Sequence, residues 1–309
     1  MEPGGTGRRA GSAHPHLEAA PVPSAFFTSD LHGHVGRYRA LWRAAAAELP
    51  DAIFLGGDLF PHAMDRSWDT AGAGADFVSG ILAPGFAELR RRTAGRIRVF
   101  LILGNDDPAA WESDLRTCQE DGLWEYIHGR RVEWGSVPVY GYNCVPPTPF
   151  LLKDWERYDV SRFVDPGCVS PEEGQRTDEL TARDMRWTTI KEELEALAGD
   201  DDQADAVWLF HTPPYDTRLD WADLDGRTID HVPLDPHVGS IAVRRFIERR
   251  QPRITLHGHV HETARLSGDW RDGFAATHCF SGAHYRTGLA LVRFDPARPQ
   301  DATRELLSV

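Results

Sequence analysis

The chain has 309 residues, 41% of them hydrophobic and 26% charged, which is enough apolar sequence for one large α/β domain or two small ones. Its formal charge is −13, and its densest basic stretches, Arg90-Arg91-Arg92 and Arg249-Arg250, fall near the ends of predicted helices, so nothing resembles the basic patch of a nucleic-acid binder. Four scattered cysteines (Cys118, Cys144, Cys168, Cys279) without C-x-x-C spacing argue against a zinc ribbon or disulfide framework, and no apolar run is long enough to span a membrane.

Residues 1–24 are rich in Gly, Pro, Ala and Arg and lack the apolar stretch of a secretory signal. They read as a disordered tail on a cytoplasmic protein, with a single domain over 25–309. Continuous apolar runs then recur at 25–29, 52–55, 97–103, 206–210 and 253–256. Runs without polar alternation predict strands buried on both faces. Helical patterns lie between them at 36–49, 74–93, 181–198 and 240–250. Pro84-Gly85 should interrupt the second, while Ser240 is a suitable N-cap and Pro252 a stop for the last. Strand–helix alternation gives the fold class as α/β. Paired β-rich runs at 125–143 and 274–294 predict hairpins around Gly135 and Gly288, so the sheets should be mixed. The Pro- and Asp-rich stretches 143–180 and 212–238 fit long ordered loops over a site.

Each of the five strands ends in a polar cluster. In order these are Asp30-Leu31-His32-Gly33, Gly56-Gly57-Asp58, Gly104-Asn105-Asp106-Asp107, His211-Thr212-Pro213-Pro214 and His257-Gly258-His259-Val260-His261. Ligands of open α/β sheets bind at the carboxyl ends of strands, so Asp30, His32, Asp58, Asn105, His211, His259 and His261 should meet at one edge. Adjacent glycines allow the backbone to turn sharply there. Oxygen and nitrogen donors without sulfur favour Mn, Fe or Zn, and seven of them suit two divalent metal ions sharing a carboxylate and a bridging hydroxide. The single pieces carry little: D-x-H recurs at Asp235-Pro236-His237 with no strand before it. The ordered set carries the reading.

That set, from 30 to 261, resembles the ordered motifs of the calcineurin-like metallophosphoesterase superfamily, D-x-H, G-D, G-N-H-[DE], a lone His and G-H-x-H, and the HTPPY and HGHVH stretches look like its prokaryotic branch. The resemblance implies a four-layer α/β/β/α sandwich with two mixed β-sheets. It implies that Asp30, His32 and His261 hold one metal, Asn105, His211 and His259 the second, and that Asp58 bridges. His257 matches no ligand position and should end its strand. The family often has a histidine after Gly-Asn that acts on the leaving group or phosphate; here that residue is Asp106, followed by Asp107 at the acidic position. Pro61 stands where purple acid phosphatases carry a metal-binding Tyr, which argues against an Fe(III)–tyrosinate centre.

A metal-activated hydroxide attacking phosphorus in line then makes the substrate a phosphate ester. Asp106, if ionised, repels a dianionic monoester more than a monoanionic diester, giving a phosphodiesterase bias. Candidate catalytic residues beyond the ligands are Asp106, Asp107 and His34, the last within reach of a phosphate four residues after Asp30. A phosphomonoesterase or protein phosphatase is the alternative among enzymes, and a catalytically quiet scaffold of the same fold the alternative outside them.

Overall fold

The computed structural model describes residues 1, 24–61, 77–178 and 180–309. The tail expected at 1–24 therefore lies, apart from its two end residues, outside the described residues, as does the start of the helix expected at 74–93.

Two six-stranded mixed sheets form the centre. The first joins β1 (Ala25–Thr28), β2 (Ala52–Gly56), β3 (Arg98–Ile102) and β4 (Glu125–Tyr126) in parallel, and continues from β1 to the antiparallel β13 (Leu289–Phe294) and β14 (Thr303–Leu307). The second is parallel through β6 (Val137–Tyr142), β7 (Val207–Phe210), β10 (Ile254–His257) and β12 (Thr277–Ser281). Antiparallel β5 (Arg130–Trp134) and β11 (Arg271–Phe274) form its edges. A two-stranded ribbon, β8 (Thr228–Ile229) with β9 (Val232–Pro233), sits apart.

The continuous apolar runs are explained by two cores. Successive side chains of a strand point to opposite faces. Phe27, Phe54 and Phe100 accordingly meet Val207, Leu209 and Leu256 between the sheets. Their neighbours Phe26, Ile53, Leu55 and Leu101 face outward into a helix-covered core with Leu41 and Phe86. On the far side Trp208 stacks on Tyr140 (centroids 4.5 Å) and receives Phe246 edge-on at 4.6 Å from the helix Ile241–Arg250. Helices thus flank both sheets, completing a four-layer sandwich. Among the described residues no helix is long and apolar enough to cross a membrane.

Several elements depart from the sequence expectation. The helix expected at 181–198 is two, Ala182–Trp187 and Ile190–Ala198, because Thr189 is a second N-cap whose hydroxyl accepts from the amide of Glu192. Pro84-Gly85 does not stop its helix. A π-helical turn, Val78–Leu82, leads into Ala83–Arg92, with the proline in the first turn of the α segment where a missing N–H is tolerated. Gly85 is needed for packing, since a Cβ there would lie 2.0 Å from the Trp42 ring. The hairpin around Gly135 forms as β5–β6. The one around Gly288 does not: the flanking strands β12 and β13 lie in different sheets, and the hairpins are β11–β12 and β13–β14. The described residues of the segment expected as a loop at 143–180 form one, pinned by a fully buried Lys153–Glu156 ion pair at 2.5 Å whose carboxylate also binds Thr148.

Candidate metal centre

The loops after β1 and β2 are joined by backbone hydrogen bonds: the amides of Asp30, His32 and Gly33 donate to the carbonyls of Gly57, Asp58 and Leu59 at 3.0, 2.8 and 2.9 Å. Leu31 between them is fully buried in the helix-side core and anchors the turn. Asp30, His32, Asp58 and His259 all have left-handed backbones, with φ of 58°, 45°, 51° and 71°. Each such non-glycine residue costs on the order of 1 kcal/mol, and such strain concentrates at functional sites. Glycine makes the close approach possible. A Cβ at Gly104 would lie 2.2 Å from Asp58 Oδ1, and one at Gly258 would lie 1.9 Å from Ser29 Oγ.

Ligand atoms of Asp30, His32, Asp58 and His261 lie within 4.8 Å of one another. His32 Nε2 is 3.0 Å from His261 Nε2, which is 3.2 Å from Asp30 Oδ1; Asp58 Oδ2 is 3.9 Å from His32 Nε2. On its other side the same Asp58 oxygen is 3.3 Å from His211 Nε2, itself 3.1 Å from Asn105 Oδ1. The ring of His259 packs edge-on against His211 at 5.2 Å. All seven residues singled out from the sequence are therefore brought together, with Asp58 common to both halves. The donor set fits a divalent cation. Asp30 Oδ2 is buried without a hydrogen-bond partner, an arrangement that is costly unless a positive charge meets it.

The electrostatics agree. Burial opposes ionisation of Asp30, but the hydrogen bond and charge of His261 outweigh it and bring the group down to about 2. Asp58 is likewise held below the ordinary carboxylate range, burial being overcome by His211. His211 is pushed up to about 10: burial works against its protonation and the Asp58 charge overrides it. Positive charge is thus favoured beside Asp58, whereas burial and the His211 charge push His259 down to about 3.

The remaining candidates separate. Asp106 borders the cluster: its amide donates to Asp58 Oδ1 at 3.0 Å, its carboxylate accepts from Asn105 Nδ2 at 3.1 Å, and it stands 3.8 Å from His32 Nδ1. Asp107 is fully buried beneath it. Its carboxylate accepts amides from Leu59, Phe60 and Gly104 at 2.9–3.0 Å, so it positions the loop carrying Asp58. His34 is exposed at the N-cap of Val35–Glu48, and no hydrogen bond or ion pair among the described residues joins its side chain to the cluster. Trp155 packs in the loop, donating from Nε1 to the Asp107 carbonyl. The N-terminus of Ile241–Arg250 already holds an anion, the carboxylate of Asp159, bound by the Ser240 hydroxyl and the amides of Ile241 and Ala242. Two positioning residues carry no sequence signal. Buried Arg37 donates to the Asp30 carbonyl at 2.6 Å, and Asn143 accepts from the Leu103 amide at 3.0 Å.

His257 ends β10 and is fully buried, its ring bonded to the Thr212 carbonyl (2.9 Å) and the Thr255 hydroxyl (2.7 Å). Burial pushes it down to about 4, against an ordinary histidine value of about 6.5 in the unfolded chain. Between those values the unfolded state binds the proton and the folded state does not, so stability drops as the pH is lowered. The advantage of the native protein over the His257→Asn variant should therefore shrink by roughly 3 kcal/mol as pH drops from about 6.5 to about 4. Paired denaturant titrations across that window measure it, and a constant difference would refute a neutral buried His257.

The sequence matches the calcineurin-like phosphoesterase family over residues 24–263. No curated protein matches it. Among solved structures it is similar to the TT1561 protein of Thermus thermophilus (16% identity, TM-score 0.53, 92% of this chain and 99% of that one). A dimetal phosphatase from Danio rerio aligns at 12% identity and TM-score 0.49, over 89% of this chain and 93% of that one. At these identities the Thermus likeness speaks to the fold alone.

Proposed function

Because the chain belongs to the calcineurin-like phosphoesterase family, we propose that it is a two-metal phosphoester hydrolase with a preference for diesters. In this reading Asp30, His32 and His261 hold one ion, Asn105, His211 and His259 the other, and Asp58 both. The observation that carries it is Asp58, whose Oδ2 lies between His32 and His211 at 3.9 and 3.3 Å. Bound divalent ions supply Lewis acidity toward the phosphoryl oxygens and make water a nucleophile at neutral pH; Mn, Fe and Zn all suit the donors.

The chain's own groups set the substrate. Asp106, partly exposed at the edge of the cluster, stands where a leaving-group acid would be expected and has no imidazole to offer. Burial and the charges of Asp58 and Asp107 push its carboxyl up to about 8; once ionised beside bound cations it disfavours a dianionic monoester relative to a monoanionic diester, and the absence of a histidine favours good leaving groups. With Mn²⁺, bis-p-nitrophenyl phosphate should be turned over with a higher kcat/KM than p-nitrophenyl phosphate. Asp106→His should lower that ratio by about tenfold or more, within the range that general acid catalysis contributes. A native ratio below one would count for the monoesterase. Failure with Mn²⁺, Fe²⁺ and Zn²⁺ on both esters would overturn the hydrolase reading in favour of a scaffold.

A further inference from the structure

The loop joining β12 to β13, residues 282–288, crosses from one sheet to the other at the edge where the ligand residues emerge. It begins against the cluster: the Gly282 amide donates to the His257 carbonyl at 2.9 Å, and a Cβ on Gly282 would lie 3.0 Å from the Ser29 nitrogen. Two guanidinium groups hold its backbone. Arg37 bridges the carbonyls of Asp30 (2.6 Å) and Arg286 (2.7 Å), and Arg304 donates to the Ala283 carbonyl at 2.6 Å. Neither forms an ion pair among the described residues, and Nε of Arg304 is buried without a partner.

On the outer side of the loop Tyr285 is exposed, with the guanidinium groups of Arg265 and Arg286 at 5.2 and 5.1 Å from its ring centroid. Arg265 comes from the short helix Thr263–Leu266 that directly follows His261 and pairs with Asp223 at 3.2 Å. Arg286 donates Nε to the Tyr285 hydroxyl and forms no ion pair among the described residues. In a chain of net charge −13, this gathers four guanidinium groups around one short loop: Arg265 pairs with Asp223, Arg37 lies in the field of the Asp30 carboxylate, and Arg286 and Arg304 form no ion pair among the described residues. Holding a loop needs only neutral donors. Unbalanced positive charge beside an ester-binding site has a use in attracting a second anion.

We propose that this loop is a second anion subsite, in which Arg286, with Arg265 beside the same Tyr285 ring, receives a further phosphoryl group carried on the alcohol portion of the diester. The inference rests on the phosphodiesterase reading and narrows its substrate class to diesters bearing a second phosphate. Tyr285 contacts both guanidinium groups, through its ring and through the hydroxyl that accepts from Arg286 Nε, and the backbone bonds from Arg37 and Arg304 fix the loop relative to Asp30.

Binding tests it independently of turnover. Thymidine 3′,5′-bisphosphate and thymidine 5′-monophosphate share base and sugar and differ by one phosphate. Calorimetric titration into the Mn²⁺-loaded full chain should show the bisphosphate binding about tenfold more tightly, the effect of one added charge-assisted contact. In Arg265→Gln/Arg286→Gln the two affinities should converge, and both substitutions are at exposed side chains, where folding is not at risk. Equal affinities in the native protein, or an undiminished preference in the double variant, would overturn the subsite. Turnover of bis-p-nitrophenyl phosphate by the same preparation tests the hydrolase reading separately, and its loss leaves the affinity ratio to decide the subsite.

Discussion

Replacing Asp58 with Asn should reduce turnover of bis-p-nitrophenyl phosphate by at least about a thousandfold, some 4 kcal/mol of barrier, while the protein remains folded. The asparagine keeps the size of the side chain and the Oδ1 acceptor that receives the Asp106 amide at 3.0 Å, so the loops after β2 and β3 stay in place. What it removes is the negative charge between His32 and His211, on the one oxygen that faces both halves of the cluster. An amide oxygen is a far weaker partner for two cations than a carboxylate, and the variant should also lose close to one bound Mn²⁺ per chain by elemental analysis. Circular dichroism separates this from unfolding. Turnover within tenfold of native, with two ions still bound, would remove Asp58 from the mechanism.

Gly104→Ala should be nearly as damaging although it changes no polar group. The added methyl would lie 2.2 Å from Asp58 Oδ1, 2.6 Å from the Asp58 backbone nitrogen and 2.6 Å from His211 Cε1. Because one of these is backbone, the clash cannot be relieved by a rotamer change alone, and Asp58 and His211 must both shift. Overpacking of this kind costs about 1–3 kcal/mol of stability, and a displacement near 1 Å at a reacting centre about a hundredfold in rate. Gly80→Ala is the matched control: nothing lies within 4 Å of its added Cβ, and the change should be neutral. If Gly104→Ala bound two Mn²⁺ with native affinity and turned over normally, the close packing of β3 against Asp58 would have no functional weight.

The centre is legible in the sequence because it lies at strand ends. A strand buried on both faces is a continuous apolar run, and the first polar residue after it marks the edge of the sheet. Asp30 and His261 can thus be assigned to one place across the 231 residues that separate them in the chain. The helix break at Thr188-Thr189 leaves no such mark, because both flanks keep an amphipathic pattern and only the capping hydroxyl distinguishes them. The connection around Gly288 misleads because a β-rich pair separated by glycine looks the same whether its strands pair or part to different sheets. Asp107 falls among the catalytic candidates by its position, whereas its three amide bonds make it a support for the Asp58 loop. Arg37 has no signal at all, since a guanidinium bound to two carbonyls has no partner residue type to search for.

The amide-to-carbonyl bonds that link the first two loops, together with the left-handed turns at Asp30, His32 and Asp58, involve no side-chain ligand. Hydrogen bonding and the burial of Leu31 offset their strain, and neither uses a cation. Ion uptake here should therefore be a docking onto a finished receptor, unlike domains in which metal and fold appear together. Chelation should leave the far-ultraviolet spectrum unchanged, and reloading should need no refolding delay. The identity of the resident ions then becomes a matter of exchange and supply, set by which divalent metals the surroundings offer and by the general order of their affinities for nitrogen and oxygen donors.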